Sequence, residues 1–526
     1  MVSHNKQIRI IDLFAGPGGL GEGFSALQID GKHPFHIALS IEKEPLAHRT
    51  LNLRSFVRQF SSPPNDYYAY LAREISREEL FARHPAQAAS ANKETWCCEL
   101  GKMDHEKVRS RIDDALKGTD NWILIGGPPC QAYSLVGRSR MRGNDPAAFE
   151  KDARHFLYQE YLQIIADHRP PIFVMENVKG LVSSTIKGEK IFYKILEDLR
   201  RPQLSAKRKA NPSATGEYKI YSLVKAPDLA GEFDPEDYII QAEEYGIPQA
   251  RHRVILIGIR NDITVRPSLL DRAKPPAVED VLQDLPRIRS GVSKGEDSHA
   301  IWLKALREII SSSWFEKQPP QIKSQIRQSI KTAASEKLTR GSDYIRWKSK
   351  SRIPASWYHD SSLKAVLNHE SRSHIVADLH RYLFTAVSGA VKGVSPKLNE
   401  FPSELLPKHK NVGEALENGL FSDRFRVQLA NRHATTITSH ISKDGHYYIH
   451  PDPSQCRSLT VREAARIQTF PDNYFFEGPR TSQYHQVGNA VPPLLARQIA
   501  AIIHDVLQRH RKENKWMSSA VKNAAG

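Results

Sequence analysis

The stretch Ile123-Leu-Ile-Gly-Gly-Pro-Pro-Cys-Gln-Ala-Tyr-Ser134 constrains this 526-residue chain more than any other. Ile123 to Ile125 read as a buried parallel strand. Gly126, Gly127, Pro128 and Pro129 stop it at once, because glycine allows a sharp reversal and proline offers no ladder donor. Cys130 then stands at the carboxyl end of a strand, where open α/β sheets hold their ligands. A thiol there is placed to attack, although a free cysteine also serves as a small buried hydrophobe, and Pro-Pro-Cys-Gln alone leaves both uses open.

The flanking segments fit an α/β alternation. Arg9-Ile-Ile-Asp-Leu-Phe-Ala-Gly-Pro-Gly-Gly-Leu-Gly21 is an apolar strand entering a glycine-rich turn, with a helix beginning near Gly21. Gly16-x-Gly18-x-x-Gly21 satisfies the dinucleotide fingerprint without separating NAD from other adenosyl cofactors, and the next strand, His36 to Ile41, ends in Glu42, where nucleotide-binding folds place an acid on ribose hydroxyls. Residues 52 to 96 read as an inserted, mostly helical, polar stretch. The segment Gly137 to Asp145 reads as a mobile basic loop carrying Arg138, Arg140 and Arg142. His155 to Asp167 and Gly188 to Arg200 are amphipathic helices, and the strand Pro171 to Met175 delivers Glu176-Asn177-Val178 to the same rim as Cys130. In Tyr245-Gly-Ile-Pro-Gln-Ala-Arg-His-Arg253, Arg251 and Arg253 are two apart and on an extended segment would face the same way, a pair suited to a carboxylate, a phosphate or a pyrimidine oxygen.

Beyond residue 258 the alternation is lost. Lys323 to Arg352 holds nine Lys/Arg against two acids, with Tyr344 and Trp347 interleaved, and the chain carries a net charge of +16. Both suit a polyanionic partner, nucleic acid foremost, with Arg346, Lys348 and Lys350 as candidate contacts. Thr436 to Ile449 reads as a hairpin turning at Asp444-Gly445. Thr460 is positioned to cap a helix and Glu463 to close its capping box. Gln486-Val-Gly-Asn-Ala-Val-Pro-Pro493 leads into a last helix, followed after residue 510 by a basic tail expected to be disordered. Four cysteines with no zinc or disulfide spacing, no signal peptide and no 18-residue apolar run point to a soluble protein of a reducing, intracellular compartment without a metal site.

Taken together, Asp12-Leu-Phe-Ala-Gly-Pro-Gly-Gly19, Glu42, Gly127-Pro-Pro-Cys-Gln131, Glu176-Asn-Val178, Gln249-x-Arg251-x-Arg253, Arg462-Glu-Ala-Ala-Arg466 and Gly488-Asn-Ala-Val-Pro492 resemble, in order, the DNA (cytosine-5) methyltransferases. The resemblance implies a Rossmann-like mixed α/β sheet with helices on both faces plus a smaller variable target-recognition domain. Residues 1–258, completed by 484–510, would form the catalytic domain, 259–483 the recognition domain and 511–526 the tail.

The resemblance also implies roles. Cys130 is the nucleophile toward carbon 6 of a flipped-out cytosine, Glu176 the group at ring nitrogen 3, Arg253 the contact to the base carbonyl and Arg251 the brace of the pocket. S-adenosyl-L-methionine would lie against Phe14, Ala15, Gly16, Gly18, Gly19 and Leu20, with Glu42 on the ribose and Pro128, Asn489 and Ala490 nearby. Glu99 is the match for a further acidic position. Where relatives have a small polar residue in the basic loop, this chain has Val136. The implied partner is double-stranded DNA, with a restriction endonuclease or phage-defence protein as a separate chain in a prokaryotic cytoplasm, and a monomer suffices. Two other readings share these motifs: a transfer-RNA cytosine-5 methyltransferase, against which the long 259–456 segment argues, and a catalytically silent DNA-binding relative, against which the joint presence of Cys130, Glu176 and Arg253 argues. An NAD-dependent oxidoreductase would leave those three residues unexplained.

Overall fold

In the computed structural model, residues 7–129, 154–186, 189–206, 217–228, 232–347, 355–408, 412 and 422–524 are described. Strand β1 (Ile8–Leu13) feeds helix α1 (Gly19–Ser25), and β2 (Phe35–Glu42) feeds α2 (Pro45–Arg58). Three short helices, α3 (Asn65–Leu71), α4 (Arg77–Arg83) and α5 (Pro85–Glu94), fill most of the expected insertion before β3 (Thr95–Cys97). Helix α6 (His105–Leu116), β4 (Trp122–Gly126), α7 (Arg154–His168), β5 (Ile172–Val178), α8 (Ile191–Arg200), β6 (Tyr218–Tyr221), β7 (Ile239–Gln241) and β8 (His252–Arg260) follow. The sheet order is β3-β2-β1-β4-β5-β8-β6, with β7 also beside β8. Strands β1 to β5 pair in parallel, whereas β8 runs antiparallel to β5, β6 and β7. The chain winds outward in one direction from β1 to β3 and in the other from β4 to β5, so the crevice for a ligand opens at the carboxyl ends of β1 and β4.

Helices α9 (His299–Arg307), α10 (Pro320–Ala334) and α11 (Val376–Lys392) build a separate apolar core around Trp302, Leu306, Ile326, Ile330, Tyr382 and Leu383. In α10 the four-residue spacing of Ile322, Ile326 and Ile330 turns one face inward, so the first half of the basic stretch is an amphipathic helix with its polar side out. Helix α12 (Val461–Ile467) starts at a capping box: Glu463 N donates to Thr460 Oγ1 over 3.2 Å, and Thr460 N donates to the Glu463 carboxylate over 2.7 Å. Helices α13 (Arg480–Asn489) and α14 (Pro493–Ala524) end the chain.

The sheet is buried on both faces, which is why its strands are almost continuously apolar. Alternate residues Ile10, Ile123, Ile125, Val174 and Ile257 meet Leu20 and Phe24 of α1 and Leu495, Ile499 and Val506 of α14. Residues one step along, Leu13, Leu39, Leu124, Phe173 and Met175, meet Ile112, Tyr161, Ile165, Ile195 and Leu199 of α6, α7 and α8.

Three expectations are corrected. Thr436 to Ile449 is not a hairpin: Ser439–Ser442 is a 3-10 turn, and Ile449 bridges Val427 and Ser458 instead. Gln249 and Arg251 claim the backbone of Ile437, and with it the ladder groups a hairpin would use. The expected disordered tail is helical as far as Ala524, because it prolongs α14. Within Arg480–Asn514 one 18-residue window reaches a mean hydropathy of 1.3, long and apolar enough by length and composition to cross a bilayer, contrary to the reading that no such run exists. That window is 61% buried, as befits a helix packed on the sheet.

Helix α1 approaches α14 where glycines allow it. A Cβ on Gly23 would lie 2.3 Å from the Pro493 carbonyl oxygen and 2.5 Å from the Ala496 Cβ. Gly23→Ala should therefore cost about 1–3 kcal/mol by overpacking, read as a lower thermal midpoint; an unchanged melt would show that the two helices do not meet in solution.

Candidate active site

The turn after β1 is bare and strained. Phe14 adopts a left-handed conformation (φ 55°), as do Gly16 (57°) and Gly18 (96°). For the phenylalanine this costs on the order of 1–2 kcal/mol, and such strain is characteristic of ligand sites. Ala15 N donates to the Ile41 carbonyl over 3.1 Å, fastening the turn to β2. A Cβ on Gly19 would fall 2.3 Å from the Val491 carbonyl oxygen and 3.3 Å from the Ala490 Cβ, so only glycine brings this turn against the segment before α14. Leu20 is buried below it. Asn489 is exposed, its amide 3.0 Å from His485 Nδ1.

Two carboxylates face this turn. Glu42, at the end of β2, accepts hydrogen bonds from Gly16 N (2.7 Å) and Glu44 N (2.8 Å), one on each oxygen. Burial raises its pKa while these backbone donors oppose the shift. Asp12 is 1% exposed, and neither of its oxygens has a hydrogen-bond partner among the described residues. Burial, opposed by Arg58, lifts its pKa to about 8. A Cβ on Gly21 would come within 3.0 Å of Asp12 Oδ2, so helix α1 lies directly over the carboxylate. The sequence reading gave Asp12 no role. The signal was an acid embedded in an apolar strand, costly to bury without a partner. Glu99 lies beyond β3 on the same rim, half exposed and held by Lys102 (2.9 Å) and Lys43 (3.8 Å), which keep its carboxyl low. Glu42 fits a ligand with hydroxyl donors. Among the described residues no cluster of His, Cys, Asp or Glu is arranged for a metal.

The second half of the site surrounds the turn after β4. A Cβ on Gly126 would meet the Leu13 carbonyl oxygen at 2.6 Å, and one on Gly127 would meet Glu176 Oε2 at 2.9 Å. Pro128 is buried, and its carbonyl accepts a 3.1 Å hydrogen bond from Asn177 Nδ2, so the residue after Glu176 fixes the path of the turn. Cys130, Val136, Arg138, Arg140 and Arg142 lie outside the described residues, as do Lys348 and Lys350. Glu176 Oε1 pairs with Arg253 Nε at 2.8 Å, both side chains nearly buried. Arg253 NH1 also donates to the His252 carbonyl (2.8 Å), and burial lowers the pKa of Arg253 against the pull of Glu176.

Arg251 departs from the expected shared direction. The chain is irregular between the short strand Gln249–Ala250, which pairs with Ala434–Thr435, and β8, so Arg251 turns to the backbone carbonyls of Ile437 (2.7 Å) and Gly488 (3.3 Å). Only 1% exposed, it is pushed well below its ordinary pKa by burial and by Arg253. Gln249 accepts from Ile437 N (3.0 Å) and donates to the Ile467 carbonyl and to Gln468, and Gln468 donates to the carbonyls of Val487 (2.8 Å) and Ala490 (2.9 Å). Arg462 and Arg466 are buried and structural: Arg462 donates to Leu367, Pro471 and Tyr474 carbonyls, and Arg466 pairs with Asp284 and Asp472. Arg346 is exposed at the end of Gly341–Arg346, beside Tyr344, Trp347 and Lys364.

The model of the C-5 cytosine-specific DNA methylases matches residues 84–204 and 228–505. The Type II methyltransferase M.Bpa9945I of Bacillus paralicheniformis is 35% identical over 526 residues, covering 95% of this chain and 99% of its own. The Type II methyltransferase M.DdeI of Desulfomicrobium norvegicum is 24% identical, covering 94% and 88%. A crystal structure from E. coli, of a prophage-encoded protein described as a DNA modification methyltransferase, shares the fold with a TM-score of 0.52 and 18% identity, covering 95% of this chain and all of that one.

The Asp12 environment predicts a pH dependence. Its folded pKa of about 8 exceeds the ordinary 3.8, so the folded protein holds a proton that the unfolded chain has lost. Stability should fall as pH rises from about 4 to about 8, by at most about 1.4 kcal/mol per pH unit. Asp12→Asn should flatten that slope in urea unfolding at pH 5 and pH 8; equal slopes in the two proteins would refute the assignment.

Proposed function

The chain belongs to the C-5 cytosine-specific DNA methylases, and from that premise we propose that it methylates carbon 5 of a flipped-out cytosine in a specific double-stranded DNA sequence. The observation that carries the reading is the Glu176–Arg253 pair at 2.8 Å, set against the Gly127 turn that leads into Cys130. Residues 1–258 with 484–510 act as the catalytic domain and 259–483 as the recognition domain. The setting is a bacterial restriction-modification or phage-defence system whose nuclease is a separate chain, in keeping with the Type II methyltransferases it resembles.

S-adenosyl-L-methionine supplies a methyl group on an electrophilic sulfonium. Glu42 spends one lone pair of each oxygen on backbone donors and keeps the others for ribose hydroxyls. When the cofactor is bound, Phe14 would lie against its adenine, and the glycine turn, Asn489 and Ala490 would hold its methionine end.

Carbon 5 of cytosine is a poor nucleophile. The Cys130 thiolate adds to carbon 6, forming a C–S bond and making carbon 5 enamine-like, and electron density moves to ring nitrogen 3. Glu176 shares a proton there through Oε2, since Oε1 is held by Arg253, and Arg253 also steadies the base carbonyl oxygen. Carbon 5 would then take the methyl group as the sulfonium's methyl–sulfur bond breaks and leaves S-adenosyl-L-homocysteine, lose its proton to a base or water, and the bond from Cys130 to carbon 6 would break to return the thiolate and the ring double bond. A base stacked in duplex cannot reach this site, so the cytosine is extruded at about a few kcal/mol.

Gly127→Ala would set a methyl group 2.9 Å from Glu176 Oε2. Methyl transfer should fall with the melt and cofactor binding retained, and Glu176→Gln should lower it by about 10²- to 10⁴-fold; normal turnover in Glu176→Gln would remove Glu176 from the chemistry. Cys130→Ala should abolish transfer and leave cofactor binding nearly intact, whereas turnover in that variant would rule out the covalent route.

A further inference from the structure

Resting on the DNA reading above, we propose that an open recess formed by Lys397, Arg426, Arg432 and His433 seats a phosphate of the DNA backbone next to the target base. The recess measures about 280 Å³ and is bounded on its other sides by Val394, Pro396 and Leu429. Its position follows from the chain that leaves it. Ala434 and Thr435 pair with Gln249 and Ala250, Ile437 N donates to Gln249 Oε1 over 3.0 Å, and the Ile437 carbonyl receives Arg251 over 2.7 Å. One step on, a Cβ on Gly488 would collide with Thr438 and Ser439 backbone at 2.3 Å. Arg432 is thus five residues from a carbonyl gripped by Arg251, a reach of at most about 17 Å of extended chain.

The recess also lies on the side of the sheet where the site opens. Arg253 pairs with Val178 at the carboxyl rim, and β8 runs antiparallel to β5, so the chain before Arg253 stands beyond that rim. The Ala434–Thr435 strand and the turn before it stand there too. Duplex DNA carries about one negative charge per 1.7 Å of axis, so a duplex presenting its base to Glu176 and Arg253 brings several phosphates within this radius.

The charges suit such a ligand. Asn431, Arg432 and His433 form an exposed turn, and Arg432 has no ion-pair partner among the described residues. Arg426 is paired with Asp423 at the edge of the recess. The floor is rigid: Val427 N donates to Ser395 Oγ (3.1 Å), and Thr435 N donates to Gln428 Oε1 (2.9 Å). Asp423 also lines the recess but is taken by Arg426, so Arg432 presents an exposed cation without an ion-pair partner among the described residues.

The test is duplex binding by the full-length chain across a salt series, beside methylation of the same duplex. Arg432→Gln should lower the slope of log affinity against log salt by about one, with Arg432→Lys restoring it. Lys32→Gln, at the amino end of β2 on the opposite rim, removes the same charge and should leave the slope unchanged. An unaltered slope in Arg432→Gln, or an equal drop in Lys32→Gln, overturns the proposal even where the wild type methylates normally. A wild type that neither binds nor methylates duplex fails the functional reading itself, and the seat with it.

Discussion

The contact on which everything else depends is the meeting of helix α1 with the start of α14. Gly19 lies against the Val491 carbonyl and Gly23 against that of Pro493, closer than any side chain permits. This brings the end of the chain back to its beginning and covers one face of the sheet. The entropy of closing so long a loop grows only slowly with its length, and it is offset locally by Leu495, Ile499 and Val506, each worth about 1.5–3 kcal/mol when fully buried. The same contact shapes the glycine turn after β1, because a Cβ on Gly19 would lie 3.3 Å from the Ala490 Cβ.

A buried polar chain then carries that frame to the Glu176–Arg253 pair. Gln468 holds the Val487 and Ala490 carbonyls, Gln249 holds Gln468, and Arg251 closes on Gly488 and Ile437. Leaving one such group unpaired would cost about 1–3 kcal/mol, so the chain tolerates few alternative arrangements. Arg253, two residues along, is thereby fixed against Glu176, while Asn177 fixes Pro128 at the threshold of Cys130. Segments far apart in sequence share one set of hydrogen bonds, which explains why the chain carries them as separate short motifs.

The strands were legible because burial on both faces leaves nearly unbroken runs such as Ile123 to Ile125, and the glycine and proline stops mark their ends. The capping box at Thr460 and Glu463 was equally plain, being a purely local device. What depended on distant partners was not. Thr436 to Ile449 has the alternation of a hairpin, yet Gln249 and Arg251 take its backbone groups. The parity of Arg251 and Arg253 promised a shared direction, which the irregular backbone between them cancels. The environment of Asp12 depends on its lacking a hydrogen-bond partner among the described residues, and that of Gly127 on an oxygen forty-nine residues away in Glu176. Neither can be read along one segment.

The most direct test of the account is base-resolved sequencing of 5-methylcytosine in DNA from cells expressing the wild-type chain or Cys130→Ala. The account predicts methylation at one fixed sequence context in the first and none in the second. Unmarked DNA beside methylated transfer RNA, or marks that persist without Cys130, would contradict it.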